Sequence, residues 1–155
     1  MSDGEELRQG VATDAAAIRE LTRAAYAKWV PVIGREPKPM AANYVEALQK
    51  NRFDLLYVKG KLAALIEKIA EPDHLLIENV AVAPSFQGQG LGRKLLAHAE
   101  KLAASSGFSA TKLYTNKLFA ENVQLYTRLG YRVDREERFK GGVVVYMSKQ
   151  VNSSE

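Results

Sequence analysis

The chain has no cysteine among its 155 residues. That excludes a disulfide framework, a thiolate metal site and a cysteine nucleophile. Histidine is almost as scarce: His74 and His98 are the only two. They are too few to build a histidine metal centre, and no metal is expected. No apolar run approaches the roughly 20 residues of a membrane span, and the N-terminus lacks the apolar core of a secretion signal. A cytoplasmic protein with no membrane partner is the expectation. Charge of one sign is not in large excess either, with 22 Lys and Arg against 18 Asp and Glu, a net +4. That balance favours an anionic ligand such as a nucleotide-bearing cofactor, and does not by itself imply nucleic acid. With no aromatic-plus-basic signature and no helix-turn-helix pattern, a nucleic-acid partner is not expected.

What is present fits one globular domain. Hydrophobic residues make up 46% and charged residues 26%, ordinary values for a soluble core-forming chain. Residues 1–148 are expected to form that domain and residues 149–155 a polar, flexible tail. There are no internal repeats or linkers.

Periodicity gives the order of elements. Leu7 to Gly10 reads as a short strand. Thr13 reads as the N-cap of a helix through Lys28, with Ile18, Leu21, Ala25 and Trp29 on one face. Pro31, Gly34, Pro37 and Pro39 make residues 30 to 39 a loop, and a second helix is predicted from Met40 to Gln49. Phe53 to Val58 and Leu62 to Ile69 form a hairpin across Lys59-Gly60-Lys61, and Leu75 to Val82 is a further strand. The helix from Leu91 to Ser105 turns Leu95, Leu96, Ala99, Leu102 and Ala103 inward before Gly107 stops it. Thr111 to Thr115 is a strand and Glu121 to Arg128 a short helix ended by Gly130. Tyr131 to Arg138 and Val143 to Ser148 pair across Gly141-Gly142. Strands in two groups separated by a crossover helix predict an α/β fold with a mixed sheet.

The most informative stretch is Gln87-Gly88-Gln89-Gly90-Leu91-Gly92, a glycine-rich turn between a strand and a helix start. Glycines let the backbone approach an anion, and the unpaired N–H groups of the first helical turn point at it. Arg93 stands where a dinucleotide motif needs its third glycine. No Ser or Thr follows Lys94 as a P-loop requires. Both common nucleotide readings fail, and the pattern left is Q-x-x-G-x-G/A. Backbone N–H groups from Gln89 to Arg93 would hold an anion, with Arg93 and Lys94 adding charge at the rim.

That loop, preceded by a strand with Val82 and Pro84, resembles the acetyl-coenzyme-A pyrophosphate loop of the GCN5-related N-acetyltransferases. A second block resembles the same family one helix later: Ala120-Glu121-Asn122-Val123-Gln124-Leu125-Tyr126, then Leu129-Gly130-Tyr131. The resemblance covers roughly residues 75 to 131. It implies a mixed, mostly antiparallel central sheet of about seven strands flanked by about four helices. It also implies acetyl-CoA as donor, direct transfer to a primary amine, and an acceptor that is a small molecule or a peptide or protein amine. Gln87, Gly88, Gln89, Gly90, Leu91, Gly92 and Arg93 would bind the cofactor. The main chain of Val80, Ala81 and Val82 would meet the pantetheine arm, on a strand that in this family is bulged and splayed from the next. Tyr126 matches the family tyrosine that protonates the thiolate. A phenol with a pKa of roughly 10 suits a thiol near 8.5.

The residues alone single out Glu78 as candidate general base, a lone carboxylate between Leu75-Leu76-Ile77 and Val80-Ala81-Val82. Tyr114, by analogy with relatives, and water remain open as alternatives, and His74 is a weaker one. Many relatives carry a pantetheine-contacting asparagine where this chain has Phe119. Asn122 is the substitute assigned here, with Asn116 as the alternative. The acceptor region, by resemblance, is shaped by the first two helices and the loop between them, with the last hairpin, and the helix-and-loop segment holds Tyr26, Trp29, Arg35, Glu36 and Tyr44. Glu36 would attract a cationic amine and Arg35 a carboxylate, and the proline-rich loop would cover a small acceptor. Relatives often dimerise through terminal strands, so Val143-Val144-Val145 makes a homodimer an open possibility. A different class, a non-catalytic acyl-CoA-binding or regulatory module, keeps the loop without turnover, and retention of Tyr126 argues against it.

Overall fold

The computed structural model describes residues 4–151. Seven strands form one sheet in the order β1-β2-β3-β4-β5-β7-β6. They are β1 (Glu5–Gln9), β2 (Arg52–Val58), β3 (Lys61–Ala70), β4 (His74–Val82), β5 (Ala110–Asn116), β6 (Arg132–Phe139) and β7 (Gly142–Gln150). Four longer helices accompany them: α1 (Ala15–Tyr26), α4 (Tyr44–Lys50), α5 (Leu91–Ser105) and α6 (Ala120–Arg128). Two single-turn helices, α2 (Val30–Ile33) and α3 (Lys38–Ala41), lie between α1 and α4. The sheet is mostly antiparallel, with a parallel β4–β5 ladder. The expected mixed α/β architecture is the one observed. Among the described residues no helix is long and apolar enough to cross a membrane.

The chain divides into two compact units. The first comprises residues up to Lys68 with Asn79–Leu96. Its core joins Ile18, Leu21 and Ala25 of α1 and Tyr44 of α4 to Phe53, Leu55, Leu65 and Ala81. Consecutive buried residues in β2 and β3 mean that both faces are covered. α1 and α4 cover one face. On the other, Gly92 at the start of α5 lies beside Val80 and Val82. The β2–β3 turn is made by Lys59 (φ 50°) and Gly60 (φ 82°), the paired left-handed conformation that two-residue hairpins require.

The second unit comprises Ile69–Glu78 and the chain from Ala97 onward. Its sheet sets β7 between β5 and β6. A polar network ties the second half of α5 to that sheet: the buried Tyr131 hydroxyl lies 2.8 Å from Thr111 Oγ1 and donates to Glu100 Oε2 at 3.1 Å. Lys149 Nζ donates to Glu100 Oε1 at 3.0 Å. β6 is exposed along its whole length.

Several boundaries differ from the sequence reading. Thr13 lies inside a 3-10 turn, Ala12–Asp14, and Asp14 makes the capping bond, its Oδ2 accepting from the Val11 N–H at 2.7 Å. The first helix stops at Tyr26 and passes through a 3-10 turn into α2. Pro31 and Pro39 sit in the first turns of α2 and α3 instead of an irregular loop, because a missing N–H costs nothing there. The predicted Met40 to Gln49 helix is broken: Ala42 is extended, and Asn43 restarts the chain as a cap, accepting from the Glu46 N–H at 3.2 Å. The last turn is Lys140-Gly141, both at positive φ, and Gly142 opens β7. Residues 149 and 150, expected in the tail, pair with Thr111 and Ala110, while residues 152–155 lie outside the described residues.

Candidate active site

In the first unit, β4 feeds a 3-10 turn, Pro84–Phe86, and then the glycine loop into α5. Gly88 and Gly90 have φ of 81° and 80°, a conformation that disfavours any side chain. A Cβ on either would meet nothing within 4 Å, so the space over the loop is open. The N–H of Gln89 closes the turn over Gln87 and Gly88, and among the described residues those from Gly90 to Arg93 have no backbone acceptor, while that of Lys94 bonds the Gly90 carbonyl at 3.1 Å. An open cradle of unpaired donors on the N-terminus of a 15-residue helix fits a pyrophosphate. Gly92 differs from the other two. Its backbone is helical and its Cβ would make ordinary contacts at 3.7 Å and 3.9 Å with Val82 and Val80, so glycine or alanine fits there.

The Gln87 side chain donates to the Val82 carbonyl at 3.1 Å and pins the loop to the end of β4. Val80 and Val82 are half-buried and Ala81 belongs to the core. The Tyr26 hydroxyl reaches Asn79 Oδ1 at 2.6 Å and the Val80 carbonyl at 3.3 Å, bracing this strand from α1. Lys94, read as a rim charge, instead pairs with Glu5 of β1 at 2.8 Å, which largely neutralises it. Arg93 is exposed at the loop.

In the second unit, Glu78 and Tyr114 form one group. The parallel ladder ends at Ile77↔Leu113, while β4 runs on to Val82 and β5 to Asn116. One residue beyond that last rung, the Tyr114 hydroxyl donates to both carboxylate oxygens of Glu78 at 2.9 Å. Two residues weighed as competing bases are therefore hydrogen-bonded partners. His74 stands at the far end of β4, its Nδ1 2.7 Å from Asp73 Oδ1, and the contact with His74 holds the Asp73 carboxyl below the usual range.

Tyr126 lies on α6, its ring edge-on to Tyr131 with centroids 6.0 Å apart. Its surface is partly open, yet apolar surroundings push its phenol up to about 12. Among the described residues no hydrogen bond occupies its hydroxyl. Phe119 is buried at the N-cap of α6, which explains an apolar residue at the asparagine position. Of the two substitutes, Asn116 Oδ1 already accepts the Leu118 N–H at 2.9 Å and shapes the turn. Asn122 is half-buried in the first turn of α6.

Glu36, read as an amine anchor, is held by Arg23 at 2.8 Å, which keeps its carboxyl below the usual range. Arg23 also donates to the Met40 carbonyl at 2.9 Å, clipping the α2–α3 segment onto α1. Trp29 and Tyr44 are buried. Three residues that the sequence reading missed are Tyr146, Arg135 and Glu137, which continue the face bearing Tyr114. Their only signal is cross-strand register, which a sequence does not print. Among the described residues no cluster of three or more His, Asp or Glu is placed to hold a metal ion.

Comparison with known proteins adds four findings. The family model described as acetyltransferase (GNAT) family matches residues 15–131. N-alpha-acetyltransferase 80 of Mus musculus is 34% identical over 71 residues, covering 46% of this chain and 21% of that protein. Streptothricin acetyltransferase of Streptomyces lavendulae is 34% identical over 74 residues, 46% of this chain and 39% of that protein. The match thus spans well under half of either curated relative. Among solved structures, PaiA N-acetyltransferase of Thermoplasma acidophilum in complex with coenzyme A superposes with a TM-score of 0.81 at 18% identity. That superposition covers 97% of this chain and 99% of the other, and at this identity it speaks for the fold.

Proposed function

The chain belongs to the acetyltransferase (GNAT) family, and from that premise we propose that it transfers the acetyl group of acetyl-CoA to a primary amine. The observation that carries this reading is the glycine loop: donors from Gly90 to Arg93 without backbone acceptors, beneath open space, at a helix start. The coenzyme-A complex of a protein with the same fold supports the choice of anion. Gln87, Gly88, Gln89, Gly90, Leu91, Gly92 and Arg93 hold the pyrophosphate. The main chain of Val80, Ala81 and Val82 and the amide of Asn122 contact the pantetheine arm. When bound, acetyl-CoA supplies the activated thioester and leaves as coenzyme A.

The chain's own residues manage the protons. Glu78 accepts one from the ammonium, directly or through water, so that nitrogen has a lone pair with which to form the C–N bond as the C–S bond breaks. Tyr114 fixes the carboxylate through both oxygens. Tyr126 Oη gives its proton to the leaving sulfur and is reprotonated through solvent as the nitrogen sheds its second proton on becoming an amide, so that the one proton released overall is the one Glu78 took up. Because burial pushes that phenol to about 12, it stays protonated throughout a practical assay range. The kcat profile is therefore expected to show no descending limb from Tyr126 up to about pH 10.

Tyr126→Phe removes the proton and keeps the ring packed on Tyr131. It is expected to lower kcat by about a hundredfold, the usual scale for a lost general acid, with acetyl-CoA affinity nearly unchanged. Steady-state thiol release together with calorimetry reads both quantities. An unaltered kcat would remove Tyr126 from the chemistry.

A further inference from the structure

The sheet face that bears Glu78 and Tyr114 continues across two more strands of the second unit. The β5–β7 register sets Tyr146 opposite Tyr114, and the β7–β6 register sets Arg135 opposite Tyr146. The tyrosine ring centroids are 5.8 Å apart at an interplanar angle of 34°. Arg135 Cζ lies 3.9 Å over the Tyr146 ring. The row begins in a carboxylate, crosses two phenol rings and ends in a guanidinium paired with Glu137, whose carboxyl Arg135 and Tyr146 together hold below the usual range. Both tyrosines and Glu78 are half-buried, and β6 leaves the far end open.

Two details show that the guanidinium is placed. The β6–β7 pairing shifts between Val133 and Arg135, so the bulged residue Asp134 gives up the position opposite Tyr146 to Arg135. A regular ladder would put an acid at the end of the row. Arg135 Nε also donates to Glu137 Oε2 at 2.7 Å, which fixes the plane of the fork. Among the described residues neither Nη of Arg135 makes a hydrogen bond. An exposed Arg–Glu pair contributes little to stability, so the fixed fork has little structural purpose. The two Nη groups of Arg135 supply the paired donors that a carboxylate takes.

Resting on the acetyltransferase reading above, we propose that this row is the acceptor site and that Arg135 sets its specificity: the acceptor is a zwitterionic amine, its ammonium on Glu78, its chain along Tyr114 and Tyr146, and a carboxylate on the Nη groups of Arg135. An ammonium would share the two acceptor oxygens of Glu78 with the Tyr114 hydroxyl. The tyrosine pair separates the two ends, which excludes an α-amino acid whose charges are adjacent. A diamine would bring a second cation against Arg135 and is rejected by repulsion.

The test is calorimetric binding of three matched compounds to coenzyme-A-saturated protein: aminohexanoate, its methyl ester and diaminohexane. The wild type is expected to bind aminohexanoate about tenfold more tightly than either other compound, the scale of one charge-assisted hydrogen-bond pair. Arg135→Gln is expected to erase that preference while leaving coenzyme-A affinity unchanged, and Arg135→Lys to keep part of it. Equal binding of the three by the wild type, no binding of any, or an undiminished preference in Arg135→Gln would each overturn the proposal. Failure of the wild type to bind coenzyme A at all would instead contradict the acetyltransferase reading.

Discussion

Gly90→Glu is expected to lower acetyl-CoA affinity by at least about a hundredfold, since like charges some 4 Å apart repel by roughly 4 kcal/mol at an effective dielectric near 20. The new side chain meets no protein atom, because the space beside Gly90 is empty within 4 Å. It enters the volume where the pyrophosphate is read to sit. Its φ of 80° also imposes strain on any L side chain. Gly60→Glu separates the two effects: Gly60 has a φ of 82° and equally open surroundings, but lies in the β2–β3 turn. That variant is expected to show the strain and keep the affinity. Gly92→Ala, whose added methyl makes only ordinary contacts with Val80 and Val82, is expected to bind normally. Equal affinity losses in Gly90→Glu and Gly60→Glu, read by calorimetry, would show that strain alone is responsible.

Asp54→Ala is expected to destabilise the protein by about 3–5 kcal/mol, the cost of leaving a buried charge without its partner. Asp54 and Lys68 are 2% and 3% exposed and form a direct ion pair across the β2–β3 ladder. Arg52 adds a contact at 3.3 Å. Burial pushes the Asp54 carboxyl upward, but the Lys68 hydrogen bond and charge outweigh it, and the net shift is downward. A carboxyl lowered in the folded state contributes stability that is present above its unfolded value near 3.9 and lost as pH falls through the folded value. The destabilisation should therefore be full at pH 7 and shrink below about pH 4. Asp54→Leu combined with Lys68→Met should recover much of the loss, because an apolar pair requires no desolvated charge. Urea midpoints for the three proteins decide the matter. A midpoint unmoved in Asp54→Ala would mean that the pair contributes nothing.

These residues also show what the sequence could disclose. The glycine loop was legible because its chemistry is main-chain and contiguous: Gln87 to Gly92 supply turn, donors and helix start from neighbouring positions. The strands and α5 were legible for the same reason, since a period of 2 or 3.6 is a local property. The break between α3 and α4 was hidden, because Asn43 caps through a side-chain bond while the apolar spacing runs on through Met40 and Tyr44. Glu78 stood out as a charge inside an apolar run, yet its bond to Tyr114 depends on a parallel register between residues 36 apart. Arg135 was less visible still. In a stretch as charged as Arg132 to Arg138, nothing marks the bulge that turns one arginine onto Tyr146.

The most direct measurement is calorimetry of the wild-type protein with acetyl-CoA, followed on the same sample by thiol release across a panel of amines. Binding at one site with release driven by one class of amine is the predicted result. Absence of acetyl-CoA binding would contradict the reading of the glycine loop on which the proposed function stands.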